Sequence, residues 1–568
     1  MMCTLHSDPF PKSARRCAAW AAKAACLGLA ILLAGPLGAA ERPNILLVLT
    51  DDLGFSDLGC YGGEIPTPNL DRLAAGGLRY TSCYTSARCC PSRASLMSGL
   101  HPHQAGVAEM TANQPARGPA YLGRLNDESM TLAERLKAAG YSTWMVGKWH
   151  LGAPGPIGRG FDEYFGYQNL TAHSLDQWNP KLYTRLPADR VAELGSGGAG
   201  GKAEFYATTA FNHYALEFIR QAREKKGQPW FVYLAHSSPH FPIQAPQADI
   251  DRHMATYRKG WDVLREERLE RQKKLGMFPA DTLLPPREIV PRDSAAIANG
   301  YAGEPNPAWE SLDADRREDL ARRMATHAAM VEHVDAGIGK ILADLERNDE
   351  MDNTVIVFLS DNGACYEWGP FGFDGESRKG LNILRSGAEL QQTGQSGTHS
   401  SYGSAWANLG NTPLKLYKHF CHEGGLRSPL VVHFPASIKP AGAWVNDPVH
   451  LMDIVPTLTA LAGASNPTEF KGKSLIPLEG VSLVPTFAGG ALAPRSLAFE
   501  HERARGLRRG EWKIAWGKRM AAKPAWELYN LVADPTEQKD LAKEKPELTA
   551  ELAEEWMAWA KRVQVDLK

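Results

Sequence analysis

Short, uninterrupted apolar runs alternate with segments of helical spacing along most of the chain. This is the pattern of βαβ units around a mainly parallel sheet. Ile45-Leu-Leu-Val-Leu49, Trp230-Phe-Val-Tyr-Leu234 and Val355-Ile-Val-Phe-Leu359 show no polar alternation, so each predicts a strand buried on both faces. Thr131-Leu-Ala-Glu134 predicts a capping box that opens a helix with Leu132 and Leu136 on one face, closed by Gly140. Pro68 suits the first position of another helix. Residues 250–275 mix Arg and Glu around Trp261, Leu264 and Leu269, and predict one solvated surface helix rather than a basic binding patch. Gly- and Ser-rich stretches at 196–201 and 394–404 predict loops. Pro, Gly and Ala around 485–495 mark a boundary. Beyond it, Leu497-Ala-Phe-Glu500 and Trp512-Lys-Ile-Ala-Trp516 read as strands, followed by a Glu/Lys/Ala-rich terminal helix. No internal repeat is visible.

The amino terminus has a different pattern. Lys12, Arg15, Arg16 and Lys23 precede an apolar run from Ala24 to Leu37, and Gly38 and Ala40 suit a small-x-small cleavage site before Glu41. The run is too short and too Ala/Gly-rich for a membrane span, and no later segment reaches about 18 apolar residues. Residues 1–40 therefore predict a signal peptide, and the expected location is the periplasm or outside the cell. An uncleaved anchor is the alternative; a lipoprotein reading through Cys26 is weaker, because Lys23 stands where an apolar residue would be expected. The expected organisation is a leader at 1–40, a main domain at 41–488 and a smaller domain at 489–568.

Composition narrows the class. The 568 residues carry 63 basic and 64 acidic side chains, with 43% apolar and 22% charged, which suffices for a sizeable core. That excludes disorder, collagen and coiled coil as the main architecture. A net charge of −1 gives no polyanion-binding surface, so nucleic acid is not the expected partner. After the leader, six cysteines remain: Cys60, Cys83, Cys89, Cys90, Cys365 and Cys421. They are too sparse for a disulfide scaffold, and the adjacent Cys89 and Cys90 are not spaced like a zinc pair. If one is chemically spent, an odd number is left and at least one stays a free thiol.

Four polar clusters carry candidate chemistry. Asp51-Asp52 follows the first apolar run and Asp361-Asn362 follows the run at 355–359, at the strand ends where ligands bind in open α/β sheets. Either pair alone is more often a turn or a cap. Together they form an oxygen-only donor set suited to Ca²⁺ or Mg²⁺ rather than zinc. The third cluster is Cys89-Cys-Pro-Ser-Arg-Ala-Ser-Leu-Met-Ser-Gly99, where Pro91 places Cys89 near the anion-favouring amino end of a helix and Arg93 adds a fixed positive charge. The fourth is basic. Lys148 and His150 in Gly-Lys-Trp-His-Leu-Gly would point the same way on an extended segment. His240 lies in Pro-His-Phe-Pro, and Lys418 stands five residues before Glu423-Gly-Gly425.

The Cys-x-Pro-Ser-Arg stretch resembles the signature of the formylglycine-dependent sulfatases, in which the first Cys is oxidised to an aldehyde. Gly-Lys-Trp-His-Leu-Gly, Pro-His-Phe-Pro and Lys-x-x-x-x-Glu-Gly-Gly are also similar to that family's text, in the same order, from about Asn44 to the carboxyl end. The resemblance implies an alkaline-phosphatase-like α/β domain, its mainly parallel sheet flanked by helices, and a smaller C-terminal α+β domain with a short antiparallel sheet. It implies that Asp51, Asp52, Asp361 and Asn362 hold Ca²⁺, with Mg²⁺ less suited, together with the modified Cys89. It also implies maturation by a formylglycine-generating enzyme, and passage through the export machinery agrees with the leader. Cys90 also precedes Pro-Ser-Arg, but the motif spacing selects Cys89 and leaves Cys90 in the variable place.

A sulfate monoester resists water because its anionic oxygens repel nucleophiles and an alkoxide leaves poorly. The resemblance implies a division of labour. Hydrated formylglycine at 89 attacks sulfur and forms a covalent sulfoenzyme intermediate, while Lys148 and Lys418 stabilise the sulfuryl oxygens and Arg93 steadies the diol. His240 protonates the leaving oxygen, and His150 then acts as base to expel sulfate. The expected substrate is a sulfated small molecule or glycan. Two readings compete: a formylglycine-dependent phosphonate monoester or phosphodiester hydrolase, and a non-catalytic binder of sulfated glycans. Tyr402 and Trp406 in the Gly/Ser-rich loop, and Glu500-His501-Glu502-Arg503, could line subsites, but a surface loop and structural ion pairs, respectively, are the preferred readings.

Overall fold

In the computed structural model, residues 42–112, 114–168, 174–187, 205–377, 381–517 and 524–567 are described; the leader and the 196–201 stretch lie outside them. The expected strands become the centre of a ten-stranded mixed sheet. Its members are β1 (Asn44–Asp51), β2 (Leu78–Tyr84), β3 (Ser142–Lys148), β4 (Glu163–Tyr167), β5 (Thr184–Leu186), β6 (Trp230–Pro239), β7 (Thr354–Ser360), β8 (Arg427–His433), β9 (Ala443–Val445) and β10 (Val449–His450). They run in the order β10-β2-β8-β7-β1-β6-β3-β4-β5, with β9 beside β2. The five strands from β7 to β4 are mutually parallel, and β8 and β5 flank them antiparallel.

The continuous apolar runs follow from burial on both faces. Along β1, Leu46 and Val48 enter one core while Ile45, Leu47 and Leu49 enter the other. The first core is covered by the helices Pro68–Gly76, Ala207–Glu224 and the 34-residue Ala314–Arg347. The second is covered by Cys89–Ser98, Leu132–Ala138 and Ile454–Leu461. Thr131 Oγ1 accepts from the Glu134 N–H at 3.1 Å while Glu134 Oε2 accepts from the Thr131 N–H at 2.9 Å, so the capping box forms as expected. Pro68 opens its helix.

The charged stretch near 250–275 departs from expectation. It forms two helices, Gln247–Tyr257 and Gly260–Lys274, broken at Gly260 (φ 80°), where a Cβ would lie 2.2 Å from the Trp309 ring. One face is solvated, but Trp261, Leu264, Leu269 and Arg268 are buried. Arg268 donates to Asp57 at 2.8 Å and to Glu64 at 2.7 Å. A buried arginine of this kind cannot be told from a solvated one by charge pattern, because its partners lie some 200 residues away in sequence.

After the hairpin β11 (Glu469–Phe470) and β12 (Lys473–Ser474), the chain forms an antiparallel sheet of β13 (Ser496–His501), β14 (Ala504–Arg509), β15 (Trp512–Trp516) and β16 (Glu527–Asn530). The terminal helix Pro546–Arg562 covers it through Leu552, Trp556 and Ala560. Pro43–Lys568 forms one compact unit. All six cysteines are buried free thiols. The surface loop expected to carry Tyr402 and Trp406 does not form: both are buried, and Trp406, in the helix Gly403–Gly410, donates through Nε1 to the Leu320 carbonyl at 2.8 Å.

Candidate active site

β1 and β7 are paired in register from Asn44↔Thr354 to Thr50↔Ser360, so the residues that follow them emerge side by side. Asp51 ends β1, Asp52 takes a left-handed turn (φ 66°), and Asp361-Asn362 follows β7 directly. Asn362 Nδ2 donates to Asp52 Oδ1 at 2.7 Å and the Asp52 N–H donates to Asp361 Oδ1 at 3.3 Å. The carboxyl ends of β3 and β6 bring two further groups. Lys148, the last residue of β3, pairs with Asp51, and His240, just past β6, sets Nε2 3.3 Å from Asp52 Oδ2. Lys418 donates to both Asp52 oxygens at 2.6 and 2.8 Å.

Cys89 is the first residue of its helix, and the Arg93 side chain from that helix's first turns reaches across the site. Arg93 donates to Asp361 Oδ2 at 2.9 and 3.1 Å and to the Lys148 carbonyl at 2.9 Å, and it lies 3.5 Å from Asp51. His150 joins Cys89 by a route the spacing did not predict. The strand ends at Lys148, and His150 takes φ 56°, so the extended segment expected to align the two does not exist. The turn nevertheless brings His150 to the Cys89 thiol, and one donor atom each from Cys89, Cys90 and His150 lies within 4.8 Å of the others. The ten residues singled out in the sequence thus meet in one cluster, nine of them buried and His150 half-buried.

Burial and charge act strongly there. The Cys90 hydrogen bond, with Lys148 and His150, holds the Cys89 thiol well below its ordinary value against burial. Burial raises the Asp51 carboxyl, but Lys148, His240 and Arg93 outweigh it and hold it low. Asp361 is pushed well up by burial and by the charge of Asp51. His150 and His240 are both lowered, chiefly by burial.

The donor set fits a hard cation. Asp51 Oδ1 and Asn362 Oδ1 are buried without a hydrogen-bond partner among the described residues, and the carboxylates of Asp51, Asp52 and Asp361 share this small volume. Orphaned buried oxygens are costly unless something positive satisfies them. An oxygen set of three carboxylates and an amide suits Ca²⁺.

A family model described as Sulfatase matches residues 43–464. The chain belongs to the sulfatase family. A second model, N-sulphoglucosamine sulphohydrolase, C-terminal, matches residues 415–562 of this sulfatase. An uncharacterised sulfatase of Schizosaccharomyces pombe is 33% identical over 554 residues, 92% of this chain and 94% of its own. An arylsulfatase of Klebsiella aerogenes is 33% identical over 476 residues, 81% of this chain and 96% of its own. The solved structure of Ps i-CgsB with k-i-k-neocarrahexaose superposes at TM-score 0.59 and 26% identity, covering 91% of this chain and 93% of that one. A solved structure holding D-glucosamine-2-N,6-O-disulfate shares the fold at TM-score 0.60 and 19% identity, covering 93% and 99%. This sulfatase is a sulfuric ester hydrolase with a mainly parallel sheet flanked by helices and a small C-terminal antiparallel sheet.

Arg88, Glu367 and His419 also border the site, with no sequence signal of their own. Arg88 Nη1 pairs with Glu367 at 2.6 Å, and Glu367 holds His419 Nε2 at 2.7 Å. Only their neighbours, Cys89 and Lys418, lie in recognisable motifs.

Proposed function

We propose that this sulfatase hydrolyses aryl or carbohydrate sulfate monoesters with Cys89 converted to formylglycine and with Ca²⁺ held by Asp51, Asp52, Asp361 and Asn362. The observation that carries this reading is the cluster itself: three buried carboxylates and two orphaned oxygens set against a thiol, two lysines and two histidines. When present, the hydrated aldehyde supplies two hydroxyls on one carbon and Ca²⁺ supplies positive charge beside them.

The chain's own residues perform the rest. The charges of Arg93, Lys148 and Lys418 balance those of Asp51, Asp52 and Asp361, so a bound divalent cation makes the pocket net positive and draws in an anionic ester. Lys148 and Lys418 face the sulfuryl oxygens, and Arg93, locked between Asp361 and the Lys148 carbonyl, fixes the position of residue 89. His240 Nδ1–H donates to the Phe241 carbonyl at 2.6 Å, leaving Nε2 as the atom that delivers a proton to the leaving oxygen. His150, against residue 89, takes a proton there as sulfate departs.

The basic and apolar character of residues 1–40 supports export to the periplasm or beyond, and maturation at Cys89 calls for a formylglycine-generating enzyme. The arylsulfatase relative makes an aryl sulfate the first substrate to test. The test is the mass of the tryptic peptide Cys89–Arg93 from the native host, with sulfate release measured on the same preparation. The expected result is one thiol replaced by an aldehyde at position 89 together with turnover of the aryl sulfate. An unmodified Cys89 in active protein removes the nucleophile. Faster turnover of a phosphodiester or phosphonate monoester moves the assignment to that class, and binding without sulfate release makes the protein a glycan binder.

A further inference from the structure

We propose that Glu367 is a positioning residue for the sulfatase reaction, fixing the spacing between residue 89 and Lys418 by joining their neighbours Arg88 and His419. The inference rests on the roles given above to residue 89 and Lys418. Three separate stretches of chain meet here. Arg88 directly precedes Cys89 at the start of its helix, Glu367 follows the Asp361-Asn362 pair, and His419 directly follows Lys418. Arg88 Nη1 and His419 Nε2 converge on a single oxygen, Glu367 Oε1, at 2.6 and 2.7 Å. The guanidinium also lies against the imidazole, 3.3 Å from Nδ1, and Glu502 Oε2 from the C-terminal sheet stands 3.5 Å from the same nitrogen. The His419 ring is therefore held at both of its nitrogens.

The junction is shielded from water. Glu367 and His419 are buried, and the Arg88 side chain is 14% exposed. Hydrogen bonds to an ionised group are short and strong, more so where water is excluded. Burial raises the Glu367 carboxyl, but Arg88, His419 and Lys418 outweigh it and hold it well below its ordinary value. Glu367 is thus a carboxylate in the field of the catalytic lysine, and it acts through the two residues that flank the reacting groups.

The backbone joins the same three stretches. The His419 N–H donates to the Ala87 carbonyl at 2.9 Å, and the Lys418 N–H to the Ala364 carbonyl at 3.1 Å. Leu416 (φ 64°) and His419 (φ 77°) take the left-handed conformation on either side of Lys418, which ordinary residues avoid. Such a turn persists only where its surroundings over-determine it, and the Glu367 carboxylate supplies one of those constraints. Lys418 is held at its tip by Asp52, at 2.6 and 2.8 Å, and the Glu367 junction holds its root. A shift of about 1 Å in a group that meets the reacting atoms can cost about 10²-fold in rate, which gives the scale of what this anchoring protects.

The test is a kinetic cycle on the full, matured chain with an aryl sulfate, each rate divided by the fraction of chains carrying the aldehyde in the Cys89–Arg93 peptide. Glu367→Gln is expected to lower kcat by about tenfold or more while KM moves less than about threefold. In a Lys418→Met background the same substitution is expected to cost less than about threefold, because the spacing it protects no longer matters. An equal loss in both backgrounds overturns the proposal, since it assigns Glu367 to general folding. An unchanged kcat, or a rise in KM alone, also overturns it. His419 gives a second route should Glu367→Gln not fold: His419→Gln, whose amide can still donate to Glu367, is expected to stay within about threefold of the wild type, and His419→Ala to lose about tenfold or more. Equal rates in those two variants overturn the proposal. Full activity in Lys418→Met overturns it together with the reading of the site on which it rests, whereas a large loss there with Glu367→Gln unchanged overturns this inference alone.

Discussion

Position 89 is chemically set apart from position 90 although both carry thiols at the start of one helix. Cys89 is held toward the thiolate by Cys90, Lys148 and His150, whereas burial and the charge of Cys89 push the Cys90 thiol well up. Cys89→Ser should therefore lower sulfate release by roughly 10⁴-fold or more, while Cys90→Ser should stay within about tenfold of the wild type. The reverse order would move the nucleophile to position 90. His240 gives a second residue-scale expectation, because a general acid matters in proportion to how badly the leaving group needs a proton. His240→Ala should cost about 10²–10⁴-fold on a sugar sulfate and far less on an activated aryl sulfate. Equal losses on the two substrates would rule out the acid role. The two polar pairs at the strand ends were legible in the sequence because Asp51-Asp52 and Asp361-Asn362 each follow an apolar run that reads as a buried strand. His150 was found for a reason that fails, since its spacing from Lys148 implied extended backbone where there is a left-handed turn; the family motif had picked it out independently. Glu367 and His419 were not legible, because residues 52 positions apart that meet through a fold leave no spacing to read.

Among the elements, strands and caps declare themselves locally and buried charge does not. The three runs at 45–49, 230–234 and 355–359 are apolar at every position because each strand has a core on both sides, and they were read correctly for that reason. The helix Gly260–Lys274 was half misread: its Glu and Lys positions face solvent, but Arg268 is fully buried between Asp57 and Glu64. Removing its charge leaves Asp57 with His327 at 3.2 Å and Glu64 with Arg271 at 3.4 Å in place of the close guanidinium, so Arg268→Met should destabilise the fold by about 3–5 kcal/mol. On the same helix Glu270, 61% exposed and paired with Lys273 at 2.8 Å, should tolerate Ala within about 0.5 kcal/mol. Urea denaturation of the two variants checks this contrast. Equal, small effects would mean that the helix is the solvated surface element its composition suggested.

At the scale of the whole molecule, the C-terminal sheet is built into the site that the main sheet opens. Lys513 on β15 is fully buried and reaches Glu423 at 2.7 Å and Glu537 at 2.9 Å. Glu423 starts the Glu-Gly-Gly turn five residues after Lys418 and also accepts from Tyr84 at 3.0 Å and Arg427 at 3.2 Å. Lys513→Met would remove the buried cation that Glu423 and Glu537 share, leaving Glu423 to Arg427 at 3.2 Å, with an expected cost of about 3–5 kcal/mol near neutral pH. The pH dependence has a definite sign. Burial raises the Glu423 carboxyl, but Lys513, Arg427 and Arg508 outweigh it and bring it down to about 2. A carboxyl whose folded value lies below its unfolded value, about 4.3, adds stability above the unfolded value. It loses that stability as the pH falls through the folded one. The variant lacks the main cation that keeps Glu423 charged, so its carboxyl protonates earlier and its handicap should shrink steadily below about pH 4.3. Urea midpoints for both proteins at neutral pH and at descending values down to the wild type's own acid limit measure the gap. A gap that stays constant over that range would assign the effect of Lys513 to packing, and the link between the C-terminal sheet and the Lys418 segment would then be one of shape rather than of charge.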